Sequence, residues 1–334
     1  MTQKQPHISI IGAGAWGTAL AQVLADAGRS ISLYARASEL AKAINGYGQN
    51  ETYLSGIFLN NNIHATANIA EAVTGADIVL LATPTQFIRS ALMELKSHLP
   101  SGVPVVSCAK GIEISTGKLL SEVAAEIIPE APYGVLSGPT FAYEVARGLP
   151  TAVTFAVRSD KAEQWAQALS SKTFRPYLSG DVTGAEISGA LKNVIAIACG
   201  IVEGKSLGEN AKAAVMTRGM AEIKRLGLKR GAEADSFLGL SGLGDLTLTC
   251  NSMASRNYSL GVMLGQGRKL ANIMAERNTV AEGVTTAKAI AQNAHKLQVE
   301  MPICGAIDKV LHHEADINAV IQGLLSRDLK QESA

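Results

Sequence analysis

The first 36 residues pass from a continuous apolar run to helical spacing and then to alternation. Ile8, Ser9, Ile10 and Ile11 form a short, mostly apolar run that is typical of a buried strand. Apolar residues then recur at the i, i+3, i+4 and i+7 spacing of a helix face, at Leu20, Val23, Leu24 and Ala27. Gly28 follows where helices commonly end on glycine. The next apolar residues alternate as in a second strand, at Ile31, Leu33 and Ala35.

Three glycines, Gly12, Gly14 and Gly17, lie between the first predicted strand and the helix. The G-x-G-x-x-G spacing is weak alone, but in a strand–turn–helix–strand context it indicates a dinucleotide site rather than a simple tight turn. Gly12 would allow the turn, Gly14 would let the backbone approach a pyrophosphate, and Gly17 would let the helix pack closely on the strand. The helix N-terminus would offer unpaired N–H groups to the phosphates.

Arg36 ends the second predicted strand, where NAD sites usually carry an acidic residue for the adenine ribose. A guanidinium there could pair with the 2′-phosphate of NADP. The sequence therefore favours NADP(H) and leaves NAD(H) open. The alternative interpretation is a solvated surface arginine.

Further strand-like runs extend the α/β pattern, at Asp77–Ala82, Val103–Ser107, Tyr133–Ser137 and Thr151–Val157. With helical stretches between them, they predict a doubly wound, Rossmann-like sheet in an N-terminal domain, residues 1–182. Strand signals stop near Leu178, and residues 183–325 predict an all-α domain, followed by a polar tail, 326–334. Thr183 and Glu186 have the spacing of a capping box that would open the first helix of the second domain.

Composition excludes several classes of protein. The chain has 334 residues, 47% of them hydrophobic, and a net charge of +1, which argues against nucleic acid or membrane surfaces as partners. We find no signal peptide and no apolar run long enough to span a bilayer. The four cysteines are scattered, which fits reduced thiols in the cytosol, and the histidines show no metal-binding spacing, so no metal is expected.

Lys110 follows a predicted apolar strand within the stretch CAKGIE. Ligands of open α/β sheets bind beyond the carboxyl ends of the strands, so this lysine is a candidate site residue rather than a surface one. The stretch SGPTFAYE, 137–144, leaves another strand in the same way.

The predicted helix 184–204 is apolar almost all round and is therefore expected to be buried. Lys192 and Asn193 interrupt it. A buried lysine needs a partner, and desolvation lowers its pKa toward the range of a proton donor or acceptor at neutral pH. The alternative is that Lys192 reaches solvent and Asn193 binds a backbone carbonyl.

Polar residues later in the chain complete a candidate phosphate site. Asp245 and Thr249 lie in a glycine-rich stretch, although Asp245 could be only a helix cap. Ser255, Arg256 and Asn257 follow, and an arginine suits bidentate phosphate recognition. Together with the lysines, these residues suit hydride transfer involving a small phosphorylated carbonyl compound or alcohol.

Six blocks in order along residues 7–325 resemble bacterial NAD(P)-dependent glycerol-3-phosphate dehydrogenase. They are GAGAWGTALA, AKGIE, SGPTFA, LKNVIAIACGI, GLGDLTLTC and SRN. The resemblance implies reversible reduction of dihydroxyacetone phosphate to sn-glycerol 3-phosphate with NADPH or NADH. It also implies a cytoplasmic homodimer that supplies phospholipid synthesis.

The resemblance also implies roles for individual residues. Lys192 would be the proton acceptor in alcohol oxidation and the donor in reduction. The substrate would contact Lys110, Gly138, Thr140, Lys192, Asp245, Ser255, Arg256 and Asn257. The cofactor would contact Gly12, Gly14, Ala15, Trp16, Gly17, Arg36, Lys110, Ala142, Arg256, Val280 and Glu282. Ala15 replaces a residue that is often polar in the family, so a contact there would use its backbone N–H.

Two alternatives stay open at the level of sequence. A hydroxyacid or ketopantoate-type dehydrogenase would share the architecture and the helix lysine, but the Arg256–Asn257 pair favours a phosphorylated substrate. A protein that binds NADP(H) without catalysis would not need Lys192 and Asp245.

Overall fold

The computed structural model describes residues 5–276, 281–329 and 331. The strands are β1 (His7–Ile11), β2 (Ser30–Tyr34), β3 (Gln49–Asn50), β4 (Leu54–Phe58), β5 (Ile63–Thr66), β6 (Ile78–Leu81), β7 (Val105–Ser107), β8 (Tyr133–Ser137), β9 (Thr151–Val157) and β10 (Phe174–Ser179). Helices α1 to α8 are Ala15–Asp26, Ser38–Tyr47, Ile69–Val73, Ile88–Leu95, Leu120–Ile127, Ala142–Ala146, Ala162–Ala168 and Val182–Gly204. Helices α9 to α15 are Glu209–Lys229, Asp245–Cys250, Arg256–Gly265, Leu270–Ala275, Glu282–Leu297, Pro302–His312 and Ile317–Leu325. Single helical turns of other types occupy Thr85–Phe87, Ala234–Leu238 and Leu240–Gly244.

Eight strands form one sheet in the order β10-β9-β8-β7-β6-β1-β2-β5, and β3 pairs with β4 as a separate hairpin. Neighbouring strands of the large sheet are parallel except β8 and β9, which are antiparallel. The strand order reverses between β1 and β6, which opens a crevice at their carboxyl ends. The predicted doubly wound α/β sheet is confirmed, although the sequence did not predict the antiparallel pair or the hairpin.

The predicted glycine end of the first helix is confirmed at α1. Gly28 has φ +82°, its N–H donates to Ala25 O (2.9 Å), and Arg29 N–H donates to Leu24 O (3.1 Å). These two bonds satisfy the last carbonyls of the helix and turn the chain into β2.

The predicted capping box at the start of α8 is wrong. Asp181, rather than Thr183, caps this helix, with its Oδ1 accepting from Gly184 N at 2.8 Å, and the helix begins at Val182. Glu186 reaches away from the helix start and bonds Ser121 instead. Among the described residues beyond Ser179 there are helices and turns but no strand, as predicted. The division into domains at residue 182 stays a prediction.

Helix α8 is the central element of the second half, and the described residues of α9, α10, α11 and α13 pack around it. A Cβ on Gly200 would lie 2.1 Å from Tyr258 O, so the small residues of α8 let α11 approach backbone to backbone. Within the described chain, α8 is the one helix long and apolar enough to cross a membrane, but its apolar window is wholly buried inside the protein. Its apolar character therefore reflects core packing.

Candidate active site

The glycine-rich turn lies at the crevice between β1 and β6. Gly12 has φ +120°, and a Cβ there would lie 3.0 Å from the carbonyl of Ala82 beyond β6. A Cβ on Gly17 would lie 1.9 Å from Gly12 O, so only glycine lets α1 pack this close to the turn. A Cβ on Gly14 would meet nothing within 4 Å. The predicted tight turn and close helix packing are thus present, and Gly14 borders open space.

The start of α1 fits an anionic ligand. Gly14 precedes the helix without a side-chain cap, so the first N–H groups of α1 lack that partner. Trp16 Nε1 is buried and has no hydrogen-bond partner in the structure. Ala15 can contribute only backbone. An uncapped helix start beside an orphaned donor is a cradle that fits the phosphates of a dinucleotide.

Arg36 follows the carboxyl end of β2, the strand next to β1. Its side chain is exposed, and the described residues offer it no hydrogen bond or ion pair. It is therefore available to a ligand in the crevice.

Asp245, Lys110 and Lys192 form a buried cluster. Asp245 is fully buried at the start of α10, where Gly244 holds the cap position, so it is not the helix cap. Its Oδ1 lies 2.7 Å from Lys192 Nζ, and its Oδ2 lies 2.7 Å from Lys110 Nζ. Lys192 also donates to Thr249 Oγ1 (2.9 Å), and Lys110 donates to Gly138 O (2.9 Å). One carboxylate thus orients two ammonium groups from opposite halves of the chain.

Burial lowers the pKa of Lys192 from 10.5 to about 8. The Asp245 carboxylate opposes this shift, and the Lys110 ammonium adds to it. Lys192 is 7% exposed, so it does not reach bulk solvent. An amine with a pKa near 8 can both donate and accept a proton close to neutral pH.

The loop after β8 borders the same cluster. Gly138 is buried and provides the carbonyl that binds Lys110, and Thr140 Oγ1 also donates to that carbonyl at 3.2 Å. Ala142 begins α6 and is half-buried. Because β1, β6, β7 and β8 are parallel, these residues share one sheet edge with the glycine-rich turn.

The SRN stretch begins α11. Ser255 caps the helix, with its Oγ accepting from Tyr258 N at 3.2 Å, and Arg256 is exposed. Asn257 is buried and donates to Asn193 Oδ1 (2.8 Å), while its own Oδ1 accepts from Gly283 N (3.0 Å). Two of the three predicted phosphate residues thus also have structural roles.

Glu282 begins α13 and lies across from the strand edge. Its Oε1 accepts from Thr85 N at 3.2 Å, and burial raises the pKa of its carboxyl, a shift that the Arg256 guanidinium opposes. Arg256 and Glu282 are therefore electrostatic neighbours. Val280, predicted to contact the cofactor, lies outside the described residues.

Sequence reasoning missed Asn50, a buried residue beside the glycine-rich turn, and it missed the distant partner of Glu186. Asn50 donates to Ala13 O inside that turn, and Glu186, which was predicted to belong to a capping box, binds Ser121 from α8. Asn50 lies in no motif that the sequence analysis identified. In the described part of the chain, no group of three or more His, Cys, Asp or Glu side chains is placed to hold a metal ion.

A doubly wound sheet with this turn, and a buried lysine of lowered pKa at the same edge, defines an NAD(P)-dependent oxidoreductase. The models of the N-terminus and C-terminus of NAD-dependent glycerol-3-phosphate dehydrogenase match residues 7–163 and 181–322. The chain belongs to this family.

Individual relatives agree with this assignment. The chain is 54% identical over 333 residues to the glycerol-3-phosphate dehydrogenase [NAD(P)+] of Rhodospirillum rubrum, covering 99% of this chain and 95% of the relative. It is 51% identical to that of Parvibaculum lavamentivorans, over the whole of both chains. The crystal structure of the Coxiella burnetii glycerol-3-phosphate dehydrogenase superposes with a TM-score of 0.93 at 33% identity, covering 97% of this chain and 99% of that one. The resemblance inferred from the six blocks is confirmed.

Proposed function

We propose that this chain reduces dihydroxyacetone phosphate reversibly to sn-glycerol 3-phosphate, using NADPH or NADH. Family membership supports this activity, and the relatives compared above are named glycerol-3-phosphate dehydrogenase [NAD(P)+]. The observation that carries the proposal is the Asp245 carboxylate holding Lys110 and Lys192 beside the cofactor edge of the sheet. The product would supply phospholipid synthesis in the cytoplasm.

Lys192 is the proton donor of the reduction in this proposal. When bound, the reduced nicotinamide supplies the hydride to the carbonyl carbon, and negative charge develops on the carbonyl oxygen. The Lys192 ammonium stabilises this charge and passes its proton to the oxygen. Asp245 holds the ammonium in place, and Lys110 adds a second positive charge. In the oxidation direction, neutral Lys192 accepts the hydroxyl proton.

The substrate phosphate is held by Arg256, Asn257 and Ser255 in this proposal. Arg256 offers a fork of N–H donors, Asn257 has a second amide hydrogen beyond its bond to Asn193, and Ser255 retains its hydroxyl hydrogen. Because the net charge is only +1, a dianionic substrate needs such a local donor set. Gly138 and Thr140 would border the rest of the substrate.

The test is a two-by-two assay of wild type and Arg256→Ala on dihydroxyacetone phosphate and dihydroxyacetone, read by loss of reduced nicotinamide. Wild type should turn over the phosphorylated substrate with NADPH or NADH. Arg256→Ala should weaken the binding of dihydroxyacetone phosphate by about 2–5 kcal/mol. It should leave the reaction of dihydroxyacetone, which is already poor in wild type, unchanged. Equal damage on both substrates would assign Arg256 to the cofactor or the fold. No turnover by wild type would refute the proposed function.

The cofactor contacts Gly12, Gly14, Ala15, Trp16, Gly17, Ala142, Val280 and Glu282 in this proposal, with Arg36 at the adenine ribose. The exposed guanidinium of Arg36 favours NADPH over NADH. Arg36→Asp should lower the NADPH-to-NADH ratio of kcat/KM about ten- to hundredfold, the worth of a charge-assisted pair. An unchanged ratio would show that Arg36 does not reach the ribose.

We also propose, from the family resemblance, that the chain forms a homodimer. Light scattering of the purified chain over a range of concentrations would test it, and a monomer mass at every concentration would exclude it.

A further inference from the structure

The peptide between Ala13 and Gly14 is fixed by side chains from outside the glycine-rich turn. Ala13 O accepts from Asn50 Nδ2 at 2.9 Å and from Thr18 Oγ1 at 3.4 Å. Asn50 Nδ2 also donates to Thr18 Oγ1 at 2.8 Å. Asn50 and Thr18 are both 0% exposed, so these bonds do not compete with solvent. The Ala13 carbonyl is therefore directed into the protein.

The direction of this carbonyl sets the direction of the next N–H. In a trans peptide, the C=O of one residue and the N–H of the next point in opposite directions. The described chain contains no cis peptide bond. With the Ala13 carbonyl held inward, the Gly14 N–H points the opposite way, and a Cβ on Gly14 would meet nothing within 4 Å, so the backbone of Gly14 borders open space. This N–H opens the helix start that fits the phosphates.

Asn50 is itself firmly held. It lies in β3, and its Oδ1 accepts from Tyr53 N at 3.3 Å, so both polar atoms of its side chain are hydrogen-bonded. The segment that follows β4 is fastened to the far part of α1, where Asn60 N donates to Gln22 Oε1 at 2.8 Å. The β3–β4 hairpin is thus braced against α1 and can support the turn.

We propose that Asn50 is a positioning residue that aims the backbone of the glycine-rich turn at the dinucleotide pyrophosphate. This inference rests on the proposed function, because it assumes that a dinucleotide binds at the turn. It gives the short β3–β4 hairpin a role in cofactor affinity, although Asn50 itself does not touch the cofactor.

The test compares Asn50→Ala with Asn45→Ala in the full chain. Asn45 is a matched control, since its side chain also makes two bonds to backbone in this half of the molecule, but with the N–H and C=O of Ala65 (2.8 and 2.7 Å) and not with the turn. Dissociation constants for NADPH and NADH are measured by nicotinamide fluorescence, together with kcat, KM and melting temperature.

Asn50→Ala should raise the dissociation constants of both dinucleotides about tenfold, the effect of losing one well-placed buried hydrogen bond. Its kcat at saturating cofactor and its KM for dihydroxyacetone phosphate should change much less. Asn45→Ala should lower the melting temperature and leave both dissociation constants within about twofold of wild type. Thr18→Val, which removes the second donor to Ala13 O, should weaken binding about threefold.

Equal weakening by Asn50→Ala and Asn45→Ala would overturn the inference, because it would assign Asn50 to general stability. Unchanged dinucleotide binding in Asn50→Ala would overturn it too. Should Asn50→Ala fail to fold, Thr18→Val decides, and wild-type affinity in that variant would refute the role of the Ala13 carbonyl. Failure of the proposed function is seen separately, as wild-type protein that binds dinucleotide but does not reduce dihydroxyacetone phosphate.

Discussion

Two buried carboxylates, Asp245 and Glu186, meet opposite kinds of partner. Asp245 is 0% exposed and forms ion pairs with Lys110 and Lys192, one on each oxygen. Glu186 is 6% exposed and meets only neutral donors. These donors are Ser121 N (2.8 Å), Ser121 Oγ (2.5 Å) and Tyr133 Oη (3.2 Å).

The partners explain the different chemistry of the two sites. Burial raises the pKa of Glu186 to about 7, because three neutral hydrogen bonds only partly compensate the lost hydration and Glu122 adds a nearby negative charge. The Asp245 carboxylate instead raises the pKa of Lys192 against the effect of burial. The buried carboxylate between two amines thus adjusts the pKa of Lys192, the proposed proton donor, whereas the one among neutral donors links α8 to Ser121 and Tyr133.

Lys192→Ala tests the first site and should have the largest effect. The variant should lower kcat by about 10²- to 10⁴-fold, because the developing oxyanion loses its proton donor, while NADPH binding changes little. Steady-state kinetics and a fluorescence titration measure the two quantities. Adding a small alkylamine should restore part of the lost turnover.

Two comparisons sharpen this result. Glu186→Gln should keep kcat within about threefold of wild type, since Glu186 touches no reacting group. If Lys192→Ala folds, binds NADPH and turns over at the wild-type rate, the proton donor is another group, and Lys110→Ala is the next variant to measure.

The pH dependence tests how the first site holds its amines. In the proposed mechanism reduction needs protonated Lys192, so the rate of reduction should fall as pH rises through about 8, whereas the rate of oxidation should rise over the same range. Asp245→Asn removes the charge that raises the pKa of Lys192, so both midpoints should move about one to three units lower. Unmoved midpoints in Asp245→Asn would show that another group controls the profile.

Local periodicity was enough to predict the β1–α1–β2 unit and the glycine cap, because their signals lie within one stretch of chain. The hairpin was missed because β3 has two residues and β4 does not alternate in burial. The role of Asn50 depends on a partner 37 positions away. The sequence offers no local signal for such a contact.

The candidate site also depends on contacts between residues that lie far apart in the chain. Residue types and family blocks brought Lys110, Lys192 and Asp245 together as candidates, but Lys192 and Asp245 are 53 positions apart, and only the fold shows which oxygen meets which amine. Glu186 was interpreted as a local cap because its spacing from Thr183 fits that motif. In the structure, the Glu186 carboxylate instead accepts a hydrogen bond from Ser121 N, 65 positions earlier.

Glu186→Gln tests the Glu186 site through the stability of the fold. We expect its effect to be smaller than those of Lys192→Ala and Asp245→Asn. The pKa of Glu186 in the folded chain, about 7, lies above its ordinary value of 4.5, so the folded chain binds this proton more tightly than the unfolded chain. Its contribution to the free energy of unfolding is therefore fully present below pH 4.5 and is lost as pH rises to about 7. Glutamine has no such dependence. As pH rises from 4.5 to about 7, the free energy of unfolding of Glu186→Gln should increase relative to that of wild type by at most about 3 kcal/mol.

Urea unfolding at a series of pH values between about 4.5 and 8 measures this difference, with reversibility checked at each pH. Glu130→Gln, at an exposed position just after α5, is the matched control and should follow wild type at every pH. If the free energies of unfolding of Glu186→Gln and wild type change in parallel with pH, the fold does not shift the pKa of the Glu186 carboxyl. The Glu186 and Asp245 sites would then differ in the geometry of their contacts and not in the charge of the carboxyl group.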